Sequence, residues 1–501
     1  MTGYIVVFGW PVAAAMFFSR YHRAFAISLT LVGGYLLLPV LPRVDLPLLP
    51  TLDKDSIPAF AAVVLALAGV GTALKNRSGG KSRARLIPRE KFLLLLLIIL
   101  LLCGFGTAYL NGDTLRFGPR QLPGLTLYDG LSTALTVGVM IVPFLLGYAY
   151  LSRPEDHRTV LIVLVIFGVL YSMLALYEIR MSPQLNRTFY GFFPHSWVQH
   201  KRGGSWRPIV FLKHGLYVGI YLAMATLAAL ALLRQSNDEW RNKAKWMAVL
   251  IGCTLLFSSN LGAMLIVVIL APVLFFLSPK MQLLLAALIA ALVLTYPMAR
   301  GAGLVPTSVV ISLVEKIDTE RADSLQFRLD NEDVLLAKAT QRPVFGWGGW
   351  TRSRVFDERG RHTTITDGYW VIIFGEGGWV RYLAEMGLLC FPIIILGLRH
   401  SQYDVGPYTT GLVIVLVANL VDLIPNAGIS PVTWMIAGAI WGRLALGKIE
   451  ESLNETERVP AAVSSYTRQT EKIDRKRPAP TPVRQLSAGP SEKISRPRRS
   501  T

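Results

Sequence analysis

The chain has 501 residues, 52% of them apolar and only 17% charged, with a mean hydropathy of +0.45. Soluble proteins carry about 25% charged residues, so a water-soluble enzyme is disfavoured before any motif is read. The formal charge of +19 sits largely in short loops and the C-terminal tail, as expected beside an anionic leaflet and not for nucleic-acid binding.

The apolar residues come in blocks close to the roughly 20 that a helix needs to cross a hydrocarbon core of about 30 Å. Backbone amides in lipid must be satisfied within the segment, so each block is expected to be a helix. The blocks lie near 4–18, 24–40, 57–74, 92–110, 129–151, 159–178, 208–233, 246–260, 261–278, 281–297, 379–398, 408–424 and 429–446. Tyr4 to Phe18 lacks a basic leader and flows into a second block, which reads as a first span and not a cleavable signal. The expected fold class is all-α: a polytopic transmembrane helix bundle of about 12–13 spans over residues 1–446.

Lys75, Arg77, Lys81, Arg83, Arg85, Arg89 and Lys91 make loop 75–91 the strongest retention signal, so it should be cytoplasmic. Alternation then places 19–23, 152–158, 234–245, 399–407 and the tail inside too, each with Lys or Arg. Two longer, arginine-rich loops fall outside, about 179–207 and a large periplasmic one, about 298–378, in the C-terminal half. Cys103, Cys253 and Cys390 all lie in apolar runs, without CxxC or Cys/His spacing. They read as small buried hydrophobes, and neither a disulfide framework nor a metal site is expected.

Arg202, Arg207, Lys213 and His214 crowd the junction of the first outer loop with its helix. An ionisable group inside an apolar run is costly unless it faces a polar cavity, which marks Lys213 and His214 as functional candidates; snorkelling is the plainer reading for Lys213. In the second outer loop, Arg328 precedes Val334, Leu335, Leu336 and Ala339 at helical spacing, predicting a short amphipathic surface helix. Arg342-Pro343 ends it and FGWGGW follows, a glycine-rich turn that matches no phosphate-binding fingerprint and is expected to set a tryptophan at the interface. Asp367 and Glu376 then flank the point where the chain re-enters the membrane, with Glu385 inside it. Buried carboxylates can serve as bases; alternatively they pair with Arg381 or the loop arginines. No Ser-His-Asp, HExxH or CxxC pattern appears. From Gly447 the composition turns to Lys, Arg, Pro, Ser and Thr, so 447–501 is expected to be a disordered basic cytoplasmic tail.

Residues 160–400 resemble the O-antigen ligase and O-antigen polymerase superfamily, bacterial membrane glycosyltransferases. Three stretches carry the resemblance: RGGSWRPIVFLKHGLYVGIYL with Arg202, LFSSNLGAMLIVVILAPVLFFL with Ser258 and Ser259, and RLDNEDVLLAKATQRPVFGWGGW with Arg328. One departure stands out: where the family's ligases have a His-Asn pair before the helix after the large loop, this chain has Asp367-Gly368, with His362 five residues earlier. The resemblance implies transfer or polymerisation of glycan from an undecaprenyl-diphosphate-linked donor on the periplasmic side of a bacterial inner membrane. The acceptor would be a glycan or lipid A core, as in lipopolysaccharide and other surface-polysaccharide biosynthesis. Arg202, Arg207, Lys213 and Arg328 would grip the diphosphate, and His214, Asp367 or Glu376 would be the base, with no metal or cofactor. The competing expectations are an exporter of lipid-linked glycan and a non-catalytic subunit of an envelope complex.

Overall fold

A computed structural model describes residues 2–46, 50–70, 85–202, 204–234, 241–316, 319–403 and 405–458, except the side chains of residues 198, 202, 320–321 and 448–458. In chain order, α1 (Thr2–Arg20), α2 (Arg23–Leu37) and α3 (Ser56–Leu67) lead to α4 (Lys91–Leu110). A hairpin of β1 (Leu115–Phe117) and β2 (Arg120–Leu122) follows, then α5 (Leu127–Met140), α6 (Val142–Tyr150) and α7 (Pro154–Met181). Short α8 (Leu185–Tyr190) and a second hairpin, β3 (Lys201–Arg202) with β4 (Ser205–Trp206), precede α9 (Gly215–Leu233). Then come α10 (Arg241–Phe257), α11 (Leu261–Phe276), α12 (Pro279–Gly301), α13 (Thr307–Glu315) and α14 (Thr319–Ala339). The last helices are α15 (Tyr369–Leu398), α16 (Pro407–Asp422) and α17 (Pro431–Arg458). Residues Met1–Ser452 form one compact unit; of the second, Leu453–Thr501, only the end of α17 is described.

Among the described residues, seven helical stretches are long and apolar enough to cross a bilayer: α1, α4, α5 joined to α6, α7, α9, α12 and α15. Helices α2, α3, α11 and α16 are apolar but shorter. The protein is a multi-pass membrane helix bundle. A helix lies within each of the thirteen expected blocks, but among the described residues only seven stretches are both long and apolar enough to span.

The bundle centres on α9, which packs against α7, α10, α11 and α16. Its residues are apolar all round, the pattern of a helix with no solvent face, and Ala223, Ala225, Ala228 and Ala229 are fully buried. Small residues let neighbouring backbones approach where lipid supplies no hydrophobic drive. The tightest crossing is α6 on α17, where a Cβ on Gly438 would lie 1.9 Å from the Phe144 carbonyl oxygen. Outward positions carry large apolar side chains instead, such as Leu95, Ile98 and Leu102 on α4 and Val268, Ile269 and Phe276 on α11. These rows suit contact with acyl chains.

Two boundaries differ from the sequence reading in ways that matter for the site. The expected span at 208–233 begins only at Gly215, because residues 208–214 form a turn capped by His214. Lys213 and His214 therefore stand at the mouth of α9 and not inside it. The expected span at 379–398 begins ten residues earlier, at Tyr369, and is broken at Gly378, whose backbone adopts φ 63° and ψ −164°. At the break the amides of Trp379 and Val380 donate to the carbonyls of Pro343 and Val344. In return the amides of Trp347 and Gly348, in the FGWGGW turn, donate to the carbonyls of Gly375 and Glu376, so this stretch takes over bonds that α15 gives up. This turn buries Trp347 under Lys338 and Arg342 and leaves Trp350 exposed. Lys338 and Arg342 close over the Trp347 ring, so the expected interfacial tryptophan can only be Trp350.

Candidate functional site

The turn at 208–214 is built by α7. Glu178 accepts the amides of Ile209 at 2.8 Å and Val210 at 2.7 Å on one carboxylate oxygen, and that of Leu185 at 2.9 Å on the other. The hydroxyl of Tyr171 accepts the Phe211 amide at 3.2 Å. This grip holds Val210 at φ 54°, a region that β-branched residues seldom occupy. The chain then reaches His214, whose Nδ1 accepts the Leu216 amide at 3.1 Å and caps α9.

Arg207 enters beside it. Its backbone amide donates to the His200 carbonyl at 2.7 Å. Its guanidinium donates to the carbonyl of Ser259 at 3.0 Å. Ser259 is the elbow between α10 and α11, with φ 57°, and its hydroxyl lies 3.2 Å from that of Ser205. Asn260, the next residue, donates to Ser258 and packs on Gly219 of α9. The serine-containing helix pair therefore meets the arginine-bearing loop at one place.

Arg328 arrives from α14. Its Nε is 3.4 Å from an Asp367 carboxylate oxygen, with the two side chains 29% and 32% exposed. Its Nη1 lies 3.4 Å from Asn426 Oδ1 and 3.5 Å from the Pro425 carbonyl. All three separations exceed a typical N–H···O bond, so this guanidinium is loosely held. The loop before Asp367 is fixed by Asn331, whose side-chain oxygen accepts the Ile365 amide at 2.9 Å.

His214 lies among these groups. Its pKa is lowered to about 3, first by burial, then by His200, His195, Arg207 and Arg328. It is a neutral imidazole at physiological pH. Of the expected site residues, Arg207, His214, Arg328 and Asp367 are thus brought together, and exposed Lys213 adjoins them in the chain. Arg202 lies on β3, and its side chain is outside the described residues.

Glu376 belongs to another group, roughly 10 Å of helix rise beyond Tyr369. Arg381 donates to Glu376 at 2.9 Å and to fully buried Glu385 at 3.1 Å, and the Tyr369 hydroxyl donates to Glu385. For these two carboxylates the pairing alternative is the one the structure displays. His362 sits in a bridge with Phe356, its ring 4.6 Å from that of Phe356. The amphipathic helix is longer than its expected core, and Leu335, Leu336 and Ala339 turn inward while Val334 is exposed.

Three residues at the site were not singled out from sequence: His195, His200 and Asn426. The histidines lie five and fourteen residues apart in irregular chain, so no periodicity announces that their rings and that of His214 pack together. Comparison with protein-family models and with curated proteins finds no match for this chain.

Proposed function

We propose that the protein is a membrane glycosyltransferase of the O-antigen ligase or polymerase type, acting on a polyprenyl-diphosphate-linked glycan at the outer face of a bacterial inner membrane. One observation carries the reading. Arg207, just before α9, packs its side chain on Gly215 at the mouth of that helix, while Arg328, more than a hundred residues on and carried by α14, reaches Pro425 and Asn426, next to the Ala427 carbonyl that Tyr217 in the first turn of α9 bonds. A diphosphate needs such a place: cations beside an apolar bundle that takes its isoprenoid tail. Guanidinium groups bind phosphate oxygens in pairs. As the bond from the anomeric carbon to the diphosphate oxygen breaks, the leaving oxygens keep the electron pair, and the arginines offset that charge.

The acceptor hydroxyl must lose a proton as it attacks. Asp367 suits this role best, being half-exposed and tied to Arg328 by a contact that a substrate can displace. His214 is neutral and has an available ring, but burial makes it a weak base. Large outer segments between α7 and α9 and between α12 and α15 are part of the same reading.

The test is loss of the gene followed by analysis of lipid-linked sugars. Undecaprenyl-linked glycan should accumulate at the periplasmic face, and Arg328→Ala should reproduce this with normal protein levels. A glycan exporter is the second reading, favoured by the broken helix α15 with its buried Arg381–Glu385 pair. It predicts accumulation confined to the cytoplasmic leaflet.

A further inference from the structure

We propose that His195, His200 and His214 form a binding site for one zinc-like divalent cation, placed where the loop before α9 meets that helix. The ring centroids are 5.3 Å apart for His195 and His200, 4.6 Å for His195 and His214, and 5.0 Å for His200 and His214. One nitrogen from each ring can be chosen so that all three lie within 4.8 Å of one another. Three nitrogens at about 2.0–2.1 Å from a tetrahedral zinc are about 3.4 Å apart, so the widest pair closes by about 1.4 Å at most.

The surroundings prepare two of the three rings. His200 is fully buried, and its Nδ1–H donates to the Ser196 carbonyl at 2.9 Å. That bond leaves the lone pair on Nε2, the tautomer that ligating histidines adopt. The Arg207 amide, donating to the His200 carbonyl, pins the same residue from the backbone side. His214, at the N-cap position of α9, holds its ring against both of the others. To coordinate, it exchanges the hydrogen bond it accepts from Leu216 for a metal bond, a neutral contact given up for a stronger one.

The donor set also selects the ion. The cluster offers imidazole nitrogen alone, which suits zinc, copper or nickel. Magnesium and calcium require oxygen donors. Arg207, bonded to the His200 carbonyl and packed on Gly215 beside His214, disfavours any cation held by charge alone, so only one held by coordination fits. Three protein ligands leave a fourth position open, and beside the Arg207 guanidinium that position suits an anionic oxygen. The site rests on this geometry and not on the glycosyl-transfer reading.

The full chain, purified in detergent through an affinity tag without histidines and stripped with chelator, is titrated with cobalt followed by zinc. The expected result is one equivalent of cobalt with the intense visible bands of a tetrahedral site, displaced by zinc and untouched by magnesium. His195→Ala, on the irregular stretch before β3, should weaken zinc binding by at least about tenfold while eluting as the wild type does. His200→Ala and His214→Ala should do the same, and His362→Ala should not. Wild-type protein without saturable binding would overturn the proposal, as would equal binding by the His195→Ala variant.

Discussion

The Glu178 carboxylate accepts the Val210 amide at 2.7 Å, joining the end of α7 to the strained turn that delivers His214. With the amides of Ile209 and Leu185 it satisfies three buried donors. Glu178→Ala leaves those donors without partners, at a cost of roughly 3 kcal/mol or more. Thermal unfolding in detergent should drop by several degrees. Glu178→Gln should be intermediate, because its amide nitrogen meets donors instead of accepting from them.

At the break in α15, a Cβ on Gly378 would lie 2.4 Å from the backbone carbon and oxygen of Val344, and φ is 63° there. Gly378→Ala should therefore be far more damaging than a helix-interior change, by about 2 kcal/mol or more. Gly252→Ala, on α10 with its nearest neighbour atom at 3.7 Å, is the control and should be near neutral. Comparing the yields and melting temperatures of the two checks this.

Glu332 of α14 provides a pH signature. Burial, opposed by Arg300 at 4.0 Å, raises its pKa to about 7. A raised carboxyl pKa means stability that is complete below the unfolded value and lost as pH climbs through the folded one. Stability should therefore fall between about pH 4.5 and 7 by on the order of 3 kcal/mol. Glu332→Gln should flatten that segment of the melting-temperature profile.

Sidedness can be tested separately. The basic run 75–91 is expected in the cytoplasm, and 71–84 lie outside the described residues. A reporter fused within it should be active in its cytoplasmic form and silent in its periplasmic form.

Much of the bundle is legible in the sequence because one physical demand, backbone amides paired within lipid, writes long apolar blocks. Every expected block holds a helix. The errors fall where tertiary partners intervene. The turn at 208–214 reads as helix because it is apolar, and it is Glu178 and Tyr171, distant in the chain, that make a turn cheaper there. The break at Gly378 is hidden within a hydrophobic run until the Pro343–Val344 carbonyls are seen to receive its amides. Arg207, His214, Arg328 and Asp367 were recognisable as charges out of place in an apolar chain. The triad of histidines was not, since irregular chain carries no period.

The most direct measurement of the central claim is binding of undecaprenyl diphosphate to the protein in nanodiscs, wild type against Arg328→Ala. A lost charge-assisted contact of about 1.5–3 kcal/mol predicts roughly ten- to a hundredfold weaker binding. Arg399→Ala, at the far end of α15, should bind as the wild type does. Equal affinity of the wild type and Arg328→Ala for the diphosphate would contradict the assignment of this arginine pair.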